Sequence, residues 1–222
     1  MYKLTNFYLL LILIILLYII IACAYYNTIK ETFTNNKTII LMGDSILNNS
    51  NYVKQGESVF DLLKIKTNKV LNIAKDNATI NDLYNQLDEI TYDLNTEDTY
   101  IFISAGGNNI LNRTTQITND DLTKIFNNYK KFLNSLKTKL TNVKINILNL
   151  YLPTNSRYQI YNSIINTWNQ LIEQTYNSNT NNLIYSIVDI HSLLTQPSDF
   201  VYGYEPSSKA SAKLANTIYL TR

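Results

Sequence analysis

The 222-residue sequence contains a single cysteine, Cys23, and a single histidine, His191. One cysteine excludes a disulfide bond within the chain and a zinc site built from several cysteines, and one histidine excludes a histidine-rich metal cluster. Runs of like charge are also missing, because 19 basic and 17 acidic side chains are spread along the chain and leave a net charge of only +2. We therefore expect neither a metal site nor a nucleic-acid partner.

A long apolar segment lies near the start of the chain. Phe7–Ala24 contains no charge, glycine or proline, and 18 residues of helix would extend about 27 Å, close to the thickness of a hydrocarbon core. Lys3 places a positive charge before the segment, whereas the opposite charges of Lys30 and Glu31 cancel each other after it. The sequence therefore predicts a single-pass membrane helix in contact with a lipid bilayer, with the C-terminal domain on the exported side.

Two other interpretations of this segment remain open. Ala22–Ala24 resembles a signal-peptidase site, and Ile20–Cys23 loosely resembles a lipoprotein box with Cys23 as the lipidated residue. A core helix would normally have a polar face, which this segment lacks. The predicted organisation is a short tail (1–6), an anchor (7–24), a polar tether (25–37) and one domain (38–222).

Beyond the tether, short apolar runs alternate with longer amphipathic segments. The predicted strands are Thr38–Met42, Lys69–Ile73, Tyr100–Ser104, Val143–Leu150 and Leu183–Ile190. The predicted helices are Ser58–Lys66, Ile80–Ile90, Asp120–Leu140, Tyr158–Tyr176 and about Ser207 to Leu220. This alternation predicts a three-layer α/β/α sandwich with a five-stranded parallel sheet and its site at the carboxyl ends of the strands.

Three of the loops that leave these strands carry small polar residues. They are Gly43-Asp44-Ser45, Ala74–Thr79 and Ala105–Asn109. A serine in a tight turn has its backbone N–H free to face a developing negative oxygen, and a nearby asparagine amide adds a second donor. This pattern outlines an oxyanion hole, although small polar residues are also the ordinary way to build such turns.

Together the three loops resemble the SGNH (GDSL-type) hydrolase family. "LMGDSIL", "VLNIAKDNATINDL" and "IFISAGGNNIL" are similar to its first three blocks and occur in the same order. The resemblance implies a flavodoxin-like sheet, Ser45 as the nucleophile and no metal or organic cofactor. It also implies an oxyanion hole made of the N–H groups of Ser45 and Asn77 and the side chain of Asn108.

The last block departs from the family pattern of an aspartate, two residues and a histidine. Glu205 stands where the histidine is expected and Tyr202 where the aspartate is expected, while Asp199 lies three residues upstream of Tyr202. Asn77 replaces a family glycine, which is tolerable because asparagine visits positive φ more readily than most residues. Asn109 replaces a family aspartate.

The general base is therefore open at this stage. Glu205 could accept the proton of Ser45 if burial raises its pKa, or it could instead cap or salt-bridge the helix that begins near Pro206. His191, beyond the fifth strand, is the other candidate base. The residues expected to support the site are Gly43, Asp44, Gly106, Gly107, Asp199 and Tyr202.

The apolar segment and the resemblance together favour a membrane-anchored serine ester hydrolase that acts on an ester-bearing small molecule, lipid or glycan. An SGNH-like binding module that has lost its base is the first alternative. An acyltransferase that uses the same serine is the second. The sequence leaves the acyl group and the oligomeric state open.

Overall fold

The computed structural model describes residues 12–26, 37–112, 117–178 and 182–222. Contacts divide the chain into one unit of residues 1–37 and a second unit, Thr38–Arg222. In the first unit, residues 12–26 are helical (α1). No helix in the described ranges combines the length and the apolar character needed to cross a bilayer. Residues 7–11 of the predicted anchor lie outside the described residues, so the anchor stays a prediction.

The second unit is built around a parallel sheet of five strands. They are β1 (Thr38–Gly43), β2 (Val70–Asn72), β3 (Thr99–Ser104), β4 (Lys144–Leu148) and β5 (Ser186–Val188). Their order in the sheet is β2-β1-β3-β4-β5, and every pairing is parallel. β3 is buried along its whole length, as is β1 after its first residue, which explains why their sequences are almost continuously apolar.

Helices cover the sheet. They are α2 (Val59–Lys66), α3 (Asp82–Asp88), α4 (Gly107–Leu111), α5 (Asn119–Lys139), α6 (Asn162–Asn177), α7 (Ile190–Leu193) and α8 (Ser208–Thr221). Helix α2 packs against α8, while α5 packs against α3 and α6. The five-stranded parallel sheet and the three-layer α/β architecture thus agree with the prediction.

Helix ends follow from local sequence. Thr118 and Asp121 form a reciprocal capping box at the start of α5, and Ser58 and Ser207 cap α2 and α8 with their side chains. Each cap satisfies backbone N–H groups that have no partner within the helix. The only tryptophan of the chain, Trp168 of α6, stacks on Tyr129 of α5 and is completely buried.

The structure corrects several predicted boundaries. The fifth strand is limited to Ser186–Val188, and the segment predicted as a helix from Tyr158 begins as a 3-10 turn, Ser156–Tyr161, before α6. Short elements were missed: α4, α7 and an antiparallel hairpin of β6 (Phe200–Val201) and β7 (Glu205–Pro206). These elements are too short to show a periodic pattern.

The strand order reverses between β1 and β3, since the chain moves from β1 to β2 on one side and then to β3 on the other. Loops diverge at such a switch point and leave a crevice at the carboxyl ends of the strands. The loops after β1 and β3, which carry Ser45 and Asn108, border this crevice.

Candidate active site

The turn after β1 is fixed by Gly43. Its φ is +123°, and a Cβ at this position would lie 1.9 Å from the carbonyl oxygen of Ser104 on β3. Gln86 of α3 holds the same residue from the other side: Gly43 N–H donates to Gln86 Oε1 (2.7 Å), and Gln86 Nε2 donates to the Gly43 carbonyl (2.9 Å). Only glycine fits here, and the chain leaves β1 in one defined direction.

Asp44 holds the next part of the turn. Its buried Oδ1 accepts hydrogen bonds from the Ser104 hydroxyl (2.6 Å) and from the Ile46 backbone N–H (3.1 Å). Burial raises the pKa of Asp44 to about 6, and the hydrogen bond from Ser104 opposes part of that increase. The carboxylate thereby fixes the backbone around Ser45, whose side chain is only 7% exposed.

Glu205 lies next to Ser45. The Ser45 hydroxyl lies close enough to the Glu205 carboxylate to lower its pKa, and Glu205 as a residue is 8% exposed. Burial raises the pKa of Glu205 to about 7, the nearby charges of Asp44 and Asp76 add to the increase, and the Ser45 hydroxyl opposes it. Among the described residues no donor reaches Glu205 Oε2, which is buried. A serine hydroxyl thus meets a carboxylate that changes its charge near neutral pH.

The β6–β7 hairpin carries Glu205 to this position. Tyr202 (φ +56°) and Gly203 (φ +77°) make its turn, and the segment after β4 anchors it. The Tyr151 hydroxyl donates to the Tyr204 carbonyl, and Thr154 N–H donates to the Gly203 carbonyl (2.8 Å). Glu205 does not serve as the cap of α8, since Ser207 does, and it forms no ion pair within the described part of the chain.

Neither Tyr202 nor Asp199 occupies the place of an orienting aspartate. The Tyr202 side chain is 70% exposed. Asp199 is fully buried but faces α8, where Lys213 Nζ lies 2.8 Å from its Oδ2. Burial, the largest single effect, would raise the pKa of Asp199, but the hydrogen bonds from Lys213 and the Gln196 backbone and the charges of Lys213 and Lys209 together leave that pKa below its usual value. Through its carbonyl, which accepts the Ser207 N–H (2.9 Å), Asp199 supports the hairpin.

His191 is held in a different part of the sheet edge. It lies in α7 after β5, and three strand spacings separate β5 from β1, or about 14 Å. Its Nδ1 lies 3.0 Å from the Leu150 carbonyl oxygen, and its backbone N–H donates to Asn149 Oδ1 (2.9 Å). The carbonyl fits a tautomer with the proton on Nδ1. The structure therefore places Glu205 beside Ser45, while Asn149 and Leu150 hold His191.

Asn77 and Asn108, two of the three proposed oxyanion residues, lie on loops that are tied together by hydrogen bonds. Asn77, with φ +61°, makes the turn after β2 and is exposed. Asn108, in the first turn of α4, donates from Nδ2 to the Ala78 carbonyl (3.0 Å), and the neighbouring Asn109 accepts the Ile80 N–H (3.0 Å). The second N–H of the Asn108 amide is available to a substrate oxygen.

Gly106 allows the loop after β3 to pack closely against Trp168, whereas a side chain at Gly107 would meet no clash. Gly106 has φ +102°, and a Cβ there would lie 2.3 Å from the ring of Trp168. A Cβ on Gly107 would lie 3.9 Å from Asp44 Oδ2, in ordinary van der Waals contact. The start of α4 therefore lies close to the turn that carries the serine.

Sequence reasoning missed two further residues of this cluster. The Tyr52 hydroxyl donates to Asp76 Oδ2 (2.8 Å), and Asp76 Oδ1 is buried with no partner among the described residues. Burial, that hydrogen bond and the charge of Glu205 all raise the pKa of Tyr52, in that order. Asp76 precedes Asn77 in the second block and could have been noticed, but nothing in the sequence around Tyr52 distinguishes it.

The cluster of carboxylates is not a metal centre of the usual kind. No group of three or more histidine, cysteine, aspartate or glutamate side chains within the described ranges is arranged to hold a metal ion.

Comparison with known proteins gives a structural likeness only. No protein-family model matches the sequence, and no curated protein matches it. The structure is similar to a lipase from a goat rumen metagenome (TM-score 0.65, 15% identity, 83% of this chain and 97% of that one). It is also similar to a GDSL-like lipase from Bacteroides thetaiotaomicron (TM-score 0.63, 17% identity, 82% of this chain and 86% of that one). A third similar structure is a member of the lipolytic G-D-S-L family from Veillonella parvula (TM-score 0.62, 18% identity, 82% of this chain and 95% of that one).

At these identities the likeness concerns the fold. It confirms, however, the resemblance that the sequence blocks indicate, because many of the similar structures are GDSL-type proteins. The domain of residues 38–222 therefore resembles the SGNH (GDSL-type) hydrolases in its fold.

Proposed function

We propose that this protein is a serine ester hydrolase in which Ser45 is the nucleophile and Glu205 the general base. The observation that supports the proposal is the position of the Ser45 hydroxyl beside a buried glutamate whose pKa is about 7. A base is most effective when its pKa lies near the working pH. Ordinary glutamate, with its lower pKa, would be a weaker base.

The reaction follows the usual two steps of acyl transfer. Ser45 Oγ attacks the acyl carbonyl and its proton passes to Glu205, while the backbone N–H groups of Ser45 and Asn77 and the Asn108 amide stabilise the oxyanion. The intermediate then expels the alcohol, which takes the proton from Glu205. A water molecule that gives its proton to Glu205 next attacks the acyl-enzyme, and Ser45 leaves with that proton.

Activity of the purified 222-residue chain towards p-nitrophenyl acetate and butyrate tests this proposal. Ser45→Ala should abolish both turnover and labelling by a fluorophosphonate. Glu205→Gln should lower kcat about 10²–10⁴-fold, the usual contribution of a general base. His191→Ala should retain activity. Labelling of Ser45 without turnover would instead favour a binding module, and full activity of Ser45→Ala would exclude this nucleophile.

We further propose that residues 7–24 anchor the domain to a bilayer on its exported side, which favours esters at or near a membrane. The uncharged 18-residue segment supports this. The chain should stay with membranes after alkaline extraction, whereas a chain starting at residue 38 should be released. A mature N-terminus after residue 24, or at a lipidated Cys23, would indicate one of the two processed forms instead.

A further inference from the structure

A small apolar pocket of about 40 Å³ lies at the same edge of the sheet as the candidate site. Three of its lining residues are chain neighbours of the proposed catalytic groups: Ile46 follows Ser45, Gly107 precedes Asn108, and Tyr204 precedes Glu205. The loops after β1 and β3 and the β6–β7 hairpin therefore all contribute to its wall. Such a pocket adjoins the place where an acyl carbonyl would have to sit for Ser45 to attack it.

The remaining wall is aliphatic and closely packed. Ile110 of α4, Leu150 after β4 and Ile165 of α6 line the pocket and are almost completely buried. Tyr151 also lines it, and its hydroxyl is already bonded to the Tyr204 carbonyl. The pocket thus offers apolar surface, which suits a hydrocarbon group better than a sugar or a phosphate.

The volume of the pocket limits what it can hold. A cavity of about 150 Å³ accommodates benzene. The observed 40 Å³ is about a quarter of that volume, which favours a short acyl chain over a long one. An acetyl to butyryl chain therefore suits this pocket better than an octanoyl chain.

We propose that this pocket binds the acyl group of the ester and restricts it to about two to four carbons, with Leu111 limiting the chain length. The inference rests on the proposed hydrolase function. Leu111 ends α4, and it is the one aliphatic side chain of the described lining that is partly exposed. Shortening it extends the pocket without opening the centre of the core.

The test compares kcat/KM for p-nitrophenyl acetate, butyrate and octanoate in the 222-residue chain. The unmodified protein should prefer butyrate to octanoate by at least about tenfold, because even one misplaced methylene costs about 10–200-fold in a fitted apolar pocket. Leu111→Ala should raise the octanoate-to-butyrate ratio about tenfold or more. Leu111→Phe, which fills the pocket, should lower the butyrate-to-acetate ratio.

Leu62→Ala is the matched control, because Leu62 is also a partly buried leucine but lies on α2, outside the pocket lining. It should leave both ratios unchanged. Equal cleavage of octanoate and butyrate by the unmodified protein, or unchanged ratios in both Leu111 variants, would overturn the pocket assignment while the hydrolase function stands. If no ester is cleaved and Ser45 is not labelled by a fluorophosphonate, the proposed function itself fails, and this inference fails with it.

Discussion

The Glu205→Gln variant should be more stable than the unmodified protein above neutral pH, although it should lose most of the proposed esterase activity. The amide has nearly the same shape as the carboxylate but cannot ionise. In the folded chain the pKa of Glu205 is about 7, against 4.5 for the unperturbed side chain, mainly because burial disfavours the charged form. At 1.36 kcal/mol per pKa unit, this difference lowers the free energy of unfolding by about 3 kcal/mol at high pH. That figure is an upper value because water partly screens the site.

The sign of the pH dependence follows from proton binding. Below pH 4.5 Glu205 is protonated in both the folded and the unfolded chain, so it contributes no pH dependence there. Between 4.5 and about 7 the unfolded chain releases this proton and the folded chain keeps it, so that unfolding becomes easier as the pH rises. Above about pH 7 the contribution of Glu205 to the free energy of unfolding no longer changes with pH.

Urea unfolding of both proteins, followed by circular dichroism from pH 4 to pH 8, measures this difference. The free energy of unfolding of Glu205→Gln minus that of the unmodified protein should grow by about 3 kcal/mol over this range, most of it between pH 4.5 and 7. Asp44 also titrates with a raised pKa, but it is present in both proteins and cancels to a first approximation. In parallel, kcat/KM of the unmodified protein should rise with pH around an apparent pKa near 7. A difference that does not change with pH, or one that shrinks as the pH rises, would refute the burial argument.

Three other predictions concern neighbouring residues. Gly43→Ala should lower the free energy of unfolding by more than about 3 kcal/mol, because the new Cβ would lie 1.9 Å from the Ser104 carbonyl oxygen. Urea titration measures this change, and an unchanged free energy would contradict the prediction. Asn108→Ala should lower kcat about 10²–10³-fold if its amide holds the oxyanion, and unaltered kcat would remove it from that role. Asp76→Asn should shift the midpoint of the pH–activity profile to lower pH, because the charge of Asp76 raises the pKa of Glu205. Asp88→Asn, in an exposed ion pair, is its control and should leave that midpoint in place.

The parallel sheet was predictable because its central strands, β1, β3 and β4, are almost entirely buried and therefore read as short apolar runs between amphipathic helices. The ends of the strands were less predictable. β5 pairs with the sheet only over Ser186–Val188, although the apolar run around it is longer, because pairing ends where α7 begins. Apolar character marks burial, whereas hydrogen bonding to a neighbouring strand depends on where the chain turns.

The same distinction holds at the site. The turn around Ser45 directly follows an apolar strand as Gly-Asp-Ser, so the sequence indicates it, although Gln86 and Ser104 from distant segments also hold it. The contact between Ser45 and Glu205 depends instead on a hairpin of two short strands, fixed by Tyr151 and Thr154 from another segment. No local pattern encodes that arrangement. The sequence therefore keeps both Glu205 and, as the alternative, His191 as candidate bases, and only the tertiary structure shows that Glu205 lies beside Ser45.

The carboxylates around Ser45 have a consequence for the charge balance of the reaction. A histidine base becomes a cation when it takes the proton, and this cation then faces the oxyanion. A glutamate base becomes neutral, so that the total charge of base and oxyanion stays at minus one from the ground state to the intermediate. With Asp44 and Asp76 close by, the electrostatic potential of the crevice stays negative throughout the proposed reaction. The crevice should therefore prefer esters that are neutral or cationic near the scissile bond to esters that carry a carboxylate or phosphate there.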